Sequence, residues 1–350
     1  MKTKWPALLA LLLLAAPAAV QAQFEYTTNN GAITLTNYTG AGGAVSISNF
    51  VTSIGYEAFY DRTGLTSVTI PGSVTSIGQD AFAGCGALTS ITIPGSVTNI
   101  GGLAFDVCFG LTNATISNGV TSIGQGAFAN CTGLTSVTIP GSVTSIGEVA
   151  FQGCIGLTNV TILGSVTNIG EYAFHYCTNL TGVTILGSVT SIGEDAFAYC
   201  YRLASVTIPG SVTNLGPYAF YYSYRLTSVY FEGSPPAADL TVFSSDPTKV
   251  YYLPGTAGWS NTFAGVPTAQ WFLPNPMILD HGASPGVENN AFAFTISWAT
   301  NASVVVEACT NLANPVWIPI QTNALANGSW QFSEPMQANI SGRFYRIRSP

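Results

Sequence analysis

The chain has 350 residues, of which only 7% are charged, with 9 Lys+Arg against 16 Asp+Glu and a formal net charge of −7. So acidic a chain, with so few cations, is a poor binder of nucleic acid or anionic membrane surfaces, because phosphate contacts need clustered Lys and Arg, and no nucleic-acid partner is expected. Its length allows about two domains.

Residues 1–22 read as an export signal. Lys2 and Lys4 form a positive n-region, and Leu8 to Leu14 an apolar core interrupted only by Ala10. Val20-Gln21-Ala22 then puts small residues at the two positions that determine cleavage. Without Lys2 and Lys4, seven basic residues face sixteen acidic ones, a net charge of −9. No later segment reaches the ~20 uninterrupted apolar residues of a spanning helix, so no transmembrane helix is expected. Residues 23–44, with Gly31, Gly40, Gly42 and Gly43, read as an N-terminal cap made of one irregular hairpin.

Residues 45–230 repeat. Phe59, Phe82, Phe105, Phe128, Phe151, Phe174, Phe197 and Phe220 stand 23 residues apart without a slip. A fixed period of this length predicts a solenoid, whose coils bury their apolar sides only against their neighbours. In the coil from Cys131, Leu134, Val137 and Ile139 are the inward positions of a short strand, and Thr138 points outward. Pro140-Gly141 ends the strand, and Val143 and Ile146 turn back inward. Gly147 is expected to free the backbone for another turn. Ala150 and Phe151 are expected to close the coil from a short helical or 3₁₀ turn.

This Cys-x-x-Leu-x-x-Val-x-Ile-Pro-x-x-Val-x-x-Ile-Gly-x-x-Ala-Phe pattern resembles the 23-residue leucine-rich repeat of the BspA or Treponema pallidum type. Leu163 and Leu186 depart from it at the strand-ending proline, and Ser117-Asn118-Gly119 replaces Pro-Gly-Ser. The resemblance implies an array of short β-strands and turns in an extracellular or cell-surface protein. Some members of that family are adhesins, and the resemblance implies no catalytic residues and no cofactor.

Cys85, Cys108, Cys131, Cys154, Cys177 and Cys200 share the period. Adjacent coils bring their Cα atoms to ~5 Å, within disulfide range, but one small buried hydrophobe per coil is the better reading. Arg62 and Ser223 fill the same slot in the end coils.

Two kinds of surface column stand out. Thr69, Thr92, Thr115, Thr138, Thr161, Thr184 and Thr207 share one outward position, with Ser67, Ser90, Ser136 and Ser205 two residues earlier. Strand propensity alone accounts for threonine there; the functional alternative is a Ser/Thr lattice for a glycan or for ice. The second kind is aromatic and confined to one end. Tyr176, Tyr199 and Tyr222 form one column, Tyr201 and Tyr224 another, and Arg202 and Arg225 a third; Tyr172, His175, Tyr218 and Tyr221 lie nearby. Tyrosine and arginine most often anchor interfaces. Tyr172, Tyr176, Tyr199, Tyr201, Arg202, Tyr222, Tyr224 and Arg225 are therefore the candidate ligand-binding residues; packing beneath the C-terminal cap is the competing account. Asp80, Glu148, Glu171, Glu194 and Asp195, in the loop after Ile-Gly, read as a solvated face.

No nucleophile elbow, phosphate loop or metal-spaced histidine pair is present, and His175 and His281 are far apart. Neither a catalytic residue nor a metal site is assigned.

Residues 231–272 read as the C-terminal cap of the solenoid, with Trp259, Phe263 and Trp271 covering the last coil. Residues 273–290 are rich in Pro, Gly and Asn and read as a linker. In 291–350, Phe292, Phe294, Ile296 and Trp298 alternate, followed by strands at Val304–Glu307, Trp317–Ile320, Trp330–Phe332 and Arg343–Ile347, a small sandwich-like all-β domain. This module is similar to C-terminal modules of secreted proteins from Verrucomicrobia-like bacteria, a resemblance that implies no activity. Arg343, Arg346 and Arg348 suggest either a basic edge for envelope attachment or charges that block edge pairing.

The function expected is that of an exported, non-enzymatic repeat protein mediating protein–protein interaction or adhesion at the cell surface, its partner an extracellular protein or a surface glycan. The alternatives are the glycan- or ice-binding lattice and a structural surface component without a ligand.

Overall fold

The computed structural model describes residues 23–271, 277–279, 286–288, 291–298, 302–313, 315–335 and 342–349. The export signal expected over 1–22, His281 and most of the expected linker lie outside the described residues.

Each coil contributes to two parallel sheets. The strand foreseen from the apolar spacing is there: Ser136–Ile139 pairs in register with Asn159–Gly164, setting Val137 against Val160 and Ile139 against Ile162. Seven such strands, from Gly43–Ser46 to Gly182–Gly187, make one sheet. The second sheet is built from two-residue strands at the Ser/Asn-Ile step, such as Ser145–Ile146, each paired with its counterpart 23 residues on. It runs from a hairpin of Phe24–Asn29 and Ala32–Tyr38 through to Asn214–Leu215. Asn30 and Gly31 turn that hairpin at positive φ, 47° and 85°.

The closing turn is not helical; among the described residues no helix occurs. Two left-handed residues flank each Ala-Phe pair instead, such as Val149 (φ 50°) and Gly153 (φ 69°) around Ala150-Phe151. That geometry aims their N–H groups along the array. Val149 donates to the Glu171 carbonyl at 2.8 Å and Gly153 to that of His175 at 2.9 Å, while Phe151 itself donates to Ala173 at 2.8 Å. The turn side is thus a third hydrogen-bonded ladder between coils. A helix would have spent these donors within one coil.

Gly147 also has a different reason from the one expected, since its φ lies outside the left-handed region. A Cβ at Gly147 would stand 2.7 Å from the backbone carbon of Gly124 in the preceding coil. The coils touch backbone to backbone at this step, and only glycine permits it.

The core is one continuous column. From Phe59 to Phe220 successive phenylalanine rings stack with centroids 4.8–5.6 Å apart and planes within 12°. Tyr38 continues the stack at one end and Phe243 at the other. All eight repeat phenylalanines are fully buried, each contributing about 1.5–3 kcal/mol relative to exposure. The six ladder cysteines are buried free thiols. Each donates from Sγ to the carbonyl of a phenylalanine 26 residues earlier, as Cys131 does to Phe105 at 3.1 Å.

Threonine hydroxyls brace two outer edges. Thr121 Oγ1 donates to the Thr98 carbonyl at 2.9 Å, and Thr112 Oγ1 to that of Thr89 at 3.0 Å, in columns that repeat along the array. The Thr115 column lies on the outward face of its sheet. One strand ladder is interrupted: Gly182–Gly187 is not hydrogen-bonded to Ser205–Ile208, which opens a separate five-stranded sheet. Ser191–Ile192 still pairs with Asn214–Leu215, so the coils remain joined on the other side. The break falls where Leu186 stands in place of proline and is left 57% exposed.

Past Phe231, strands Lys249–Tyr252 and Val266–Gln270 extend the array in parallel. Trp259 lies 5.1 Å from the Phe231 ring and donates from Nε1 to the Gly233 carbonyl at 3.1 Å, and Phe263 packs beside it. Trp271 packs on Tyr230 instead, at 4.7 Å.

The C-terminal region has two small sheets, one around Ala291–Ser297 and one around Ser303–Cys309. Phe294, Ile296, Val304, Val306, Leu325 and Phe332 form the core between them. Two stretches within the expected linker are strands of this region: Met277–Leu279 and Gly286–Glu288 both pair with Ala291–Ser297. Their shortness hid them from alternation. The buried Ser297 hydroxyl donates to the Pro254 carbonyl at 2.8 Å and ties the region to the end of the array.

The arginines are not a free basic edge. Arg346 and Arg348 bracket the buried Glu307 at 2.6 and 2.8 Å, and Arg343 pairs with Glu334 at 2.8 Å. Alternation puts Arg346 and Arg348 on the face of their strand that meets Glu307 on the paired strand, and Arg343 reaches Glu334 of the other sheet, so the positive charge is neutralised locally.

Candidate functional site

The tyrosines converge because the coil period superimposes them. Tyr176, Tyr199 and Tyr222 form a stack with centroids 4.4 and 5.4 Å apart and planes within 4°. Tyr201 and Tyr224 form a second stack at 5.4 Å. The two stacks meet edge to face, Tyr199 on Tyr201 at 6.1 Å and Tyr222 on Tyr224 at 5.2 Å. Tyr176 and Tyr224 are 41% and 51% exposed, so the stacks form a surface layer. Arg202 and Arg225 are exposed beside it, and among the described residues neither forms an ion pair.

Tyr172 stands on the neighbouring column, its hydroxyl donating to Glu194 at 3.3 Å. Partial burial and the Asp195 and Glu194 carboxylates push it up to about 12. Tyr172, Tyr176, Tyr199 and Tyr222 all occupy the left-handed positions described above, with φ between 55° and 59°. Such a conformation disfavours large side chains. The same geometry points each N–H at the next coil, Tyr199 to the Tyr221 carbonyl at 2.8 Å and Tyr176 to Ala198 at 3.0 Å.

Three groups outside the nominated set complete the layer. His175 lies 4.6 Å from Tyr176, 5.2 Å from Tyr199 and 5.3 Å from Tyr172, perpendicular to each within about 16°. Tyr221 lies 4.3 Å from Tyr222 and 5.2 Å from Tyr218. An open cleft of about 290 Å³ is lined by His175, Asp195, Tyr199, Tyr218 and Tyr221. The signal for it is in the columns. Residues 175, 198 and 221 read His, Ala, Tyr, and 172, 195 and 218 read Tyr, Asp, Tyr. A small or short residue between two large ones leaves a gap one coil wide.

The cleft is acidic. Burial pushes Asp195 above the usual carboxylate range, an effect the hydrogen bond from Tyr172 opposes. Burial lowers His175, and its Nδ1 is buried without a hydrogen-bond partner, so the imidazole is neutral at neutral pH. The loop carboxylates read as a uniformly solvated face therefore divide. Glu148 and Glu171 are exposed, whereas Asp195 lines the cleft.

No helix of the described residues is long and apolar enough to cross a membrane, and no group of three or more His, Cys, Asp and Glu converges among them.

The architecture has known counterparts. A family model described as BspA type leucine-rich repeat region matches residues 42–155 and 121–247, in six copies. A leucine-rich repeat protein of T. pallidum is 32% identical over 54% of this chain and 90% of its own, with a TM-score of 0.48. A leucine-rich cell surface protein of Faecalibacterium prausnitzii is 22% identical over 68% of this chain and 94% of its own, with a TM-score of 0.31. The pneumococcal vaccine antigen PcpA is 16% identical over 67% and 92%, with a TM-score of 0.33. No curated protein matches the chain. With its 23-residue coils and a family match running from residue 42 to 247, the chain belongs to the BspA-type leucine-rich repeat family.

Proposed function

We propose that the chain is exported and acts at the cell surface or outside the cell as a non-enzymatic scaffold, binding a protein partner through its tyrosine layer. One observation carries this reading. The stacked surface tyrosines fall in three consecutive coils. In the Tyr176 column earlier coils carry Gly153, Asn130 or Val107, and in the Tyr201 column the exposed Phe109 stands unstacked between Gly86 and Thr132. Coil duplication and core packing explain the phenylalanines, but neither requires stacked tyrosines on the surface. Rigid, partly exposed tyrosines contribute contact area at small entropic cost. Export is our reading of the Lys2/Lys4 and Leu8–Leu14 pattern. The C-terminal β region serves as a spacer or anchor.

The test is affinity capture from envelope, matrix and glycan extracts. The bait is the chain from Gln23 onward, beside a Tyr199→Ala/Tyr201→Ala/Arg202→Ala variant whose folding is checked by circular dichroism. A protein held by the first and lost by the second is the expected result. A partner held equally by both would move the contact elsewhere, and an empty capture with both would favour a structural role.

A further inference from the structure

We propose that the cleft between His175 and Tyr221 is a receptor for a cationic side chain, a lysine or arginine presented by the protein partner. The physiological source rests on the contact-surface reading above; the chemistry of the cleft stands on its own.

The first argument is shape. His175 and Tyr221 are two coils apart in one column, with fully buried Ala198 between them. Register spacing of ~4.8 Å per coil sets the walls ~10 Å apart, enough for one extended side chain. Tyr218 leans against Tyr221 at 68°, and Tyr199 closes one side.

The second argument is charge. Asp195 lies in this cleft with Glu194 beside it in sequence, and among the described residues neither is in a salt bridge. Their partner here is the Tyr172 hydroxyl, which donates to Glu194. The neighbouring imidazole supplies no compensating positive charge. An acid within an aromatic wall favours a cation, which gains from the carboxylate and from the negative ring faces together. A neutral or anionic ligand would leave Asp195 uncompensated in a half-buried site.

The experiment uses the chain from Gln23 onward and follows ligand binding by NMR. The probes are Nα-acetyl-lysine amide and Nα-acetyl-arginine amide, the uncharged isostere Nα-acetyl-norleucine amide, and choline. A lysine or arginine derivative should bind in the millimolar range, at least tenfold tighter than norleucine. Asp195→Asn, which asparagine tolerates at this left-handed position (φ 52°), should weaken it about tenfold, and Tyr221→Leu by a factor of about 3–30. Equal binding of norleucine would make the cleft merely apolar and overturn the proposal. So would an absence of binding, or binding indifferent to both substitutions. Choline binding more tightly than either amino-acid derivative would overturn the side-chain source. The capture experiment can fail while this one succeeds, and the reverse, so the two readings are separable.

Discussion

Ser223 stands in the cysteine column and keeps its bond: its buried hydroxyl donates to the Phe197 carbonyl at 3.0 Å, where Cys200 donates to Phe174 at 3.4 Å. From Cys85 to Ser223 the slot therefore calls for a small side chain with one donor aimed at a carbonyl, and a thiol is only one way of meeting it; Arg62, in the first coil, reaches Asn37 instead. Cys131→Ser should cost less than about 1 kcal/mol. Cys131→Ala loses both the donor and packed volume and should cost roughly 1–3 kcal/mol. Denaturant unfolding of the two variants checks the order.

The same burial makes these thiols unreactive. It pushes Cys85 and Cys154 up to about 12 and raises Cys131 and Cys177 well above the ordinary thiol value. A thiolate is the reactive form. An aromatic disulfide reagent at pH 8 should therefore label none of the six ladder cysteines in the native chain and all of them in denaturant. Rapid native labelling of even one would show that the coils open locally.

Val149 is a β-branched residue at φ 50°, a conformation that costs about 1–2 kcal/mol for most side chains. Asn130 occupies the companion left-handed column at φ 55° and hydrogen-bonds Asp106 at 3.1 Å. Val149→Asn should stabilise the chain by about 0.5–1 kcal/mol, part of the strain relief being offset by lost Val contacts. A lower unfolding midpoint would mean that those contacts outweigh the strain.

Asp246 has both carboxylate oxygens buried without a well-formed hydrogen bond, and burial pushes it up to about 8. With the folded value above the unfolded one near 3.8, its contribution is fully present below about pH 3.8 and is lost as pH rises to about 8. Asp246→Asn should therefore match the natural chain near pH 4. Near pH 8.5 it should be more stable, by roughly 1–2 kcal/mol once partial solvent screening is allowed for. Thermal unfolding at the two pH values decides it.

The two kinds of threonine should behave differently. Thr121→Val removes the bond to the Thr98 carbonyl and should cost about 0.5–1.5 kcal/mol. Thr115→Val, on the outward face, should stay within about 0.5 kcal/mol. Equal effects would show that the edge hydroxyls brace nothing.

The solenoid was legible because 23-residue identity survives in every coil, and the inward positions Leu134, Val137, Ile139 and Phe151 all fall in the core. The second sheet was not, since two residues such as Ser145–Ile146 are too few to show alternation. The left-handed columns were hidden for another reason. Gly126 and Asp195 announce such positions, but Leu103, Val149 and Tyr172 in the same column do not. Inter-coil hydrogen bonding imposes that conformation whatever residue is present. The stacked tyrosines could be read from spacing alone. The cleft could not, because it is defined by what Ala198 lacks, and a search for chemical groups passes over an alanine.

The stack, the cysteine bonds, the threonine braces and the turn ladder all link each coil only to the one next to it, at steps of 22 to 26 residues. Excise one middle coil, or copy one, and its neighbours meet in the same register. No residue in the middle of the array records how many coils there are. Only the hairpin before Tyr38 and the tryptophan-bearing end after Phe231 mark a first and a last. The length of this protein is thus open to drift by unequal recombination. The order His175, Ala198, Tyr221 is not: losing the coil between its walls would close the cleft, while the fold went on unchanged.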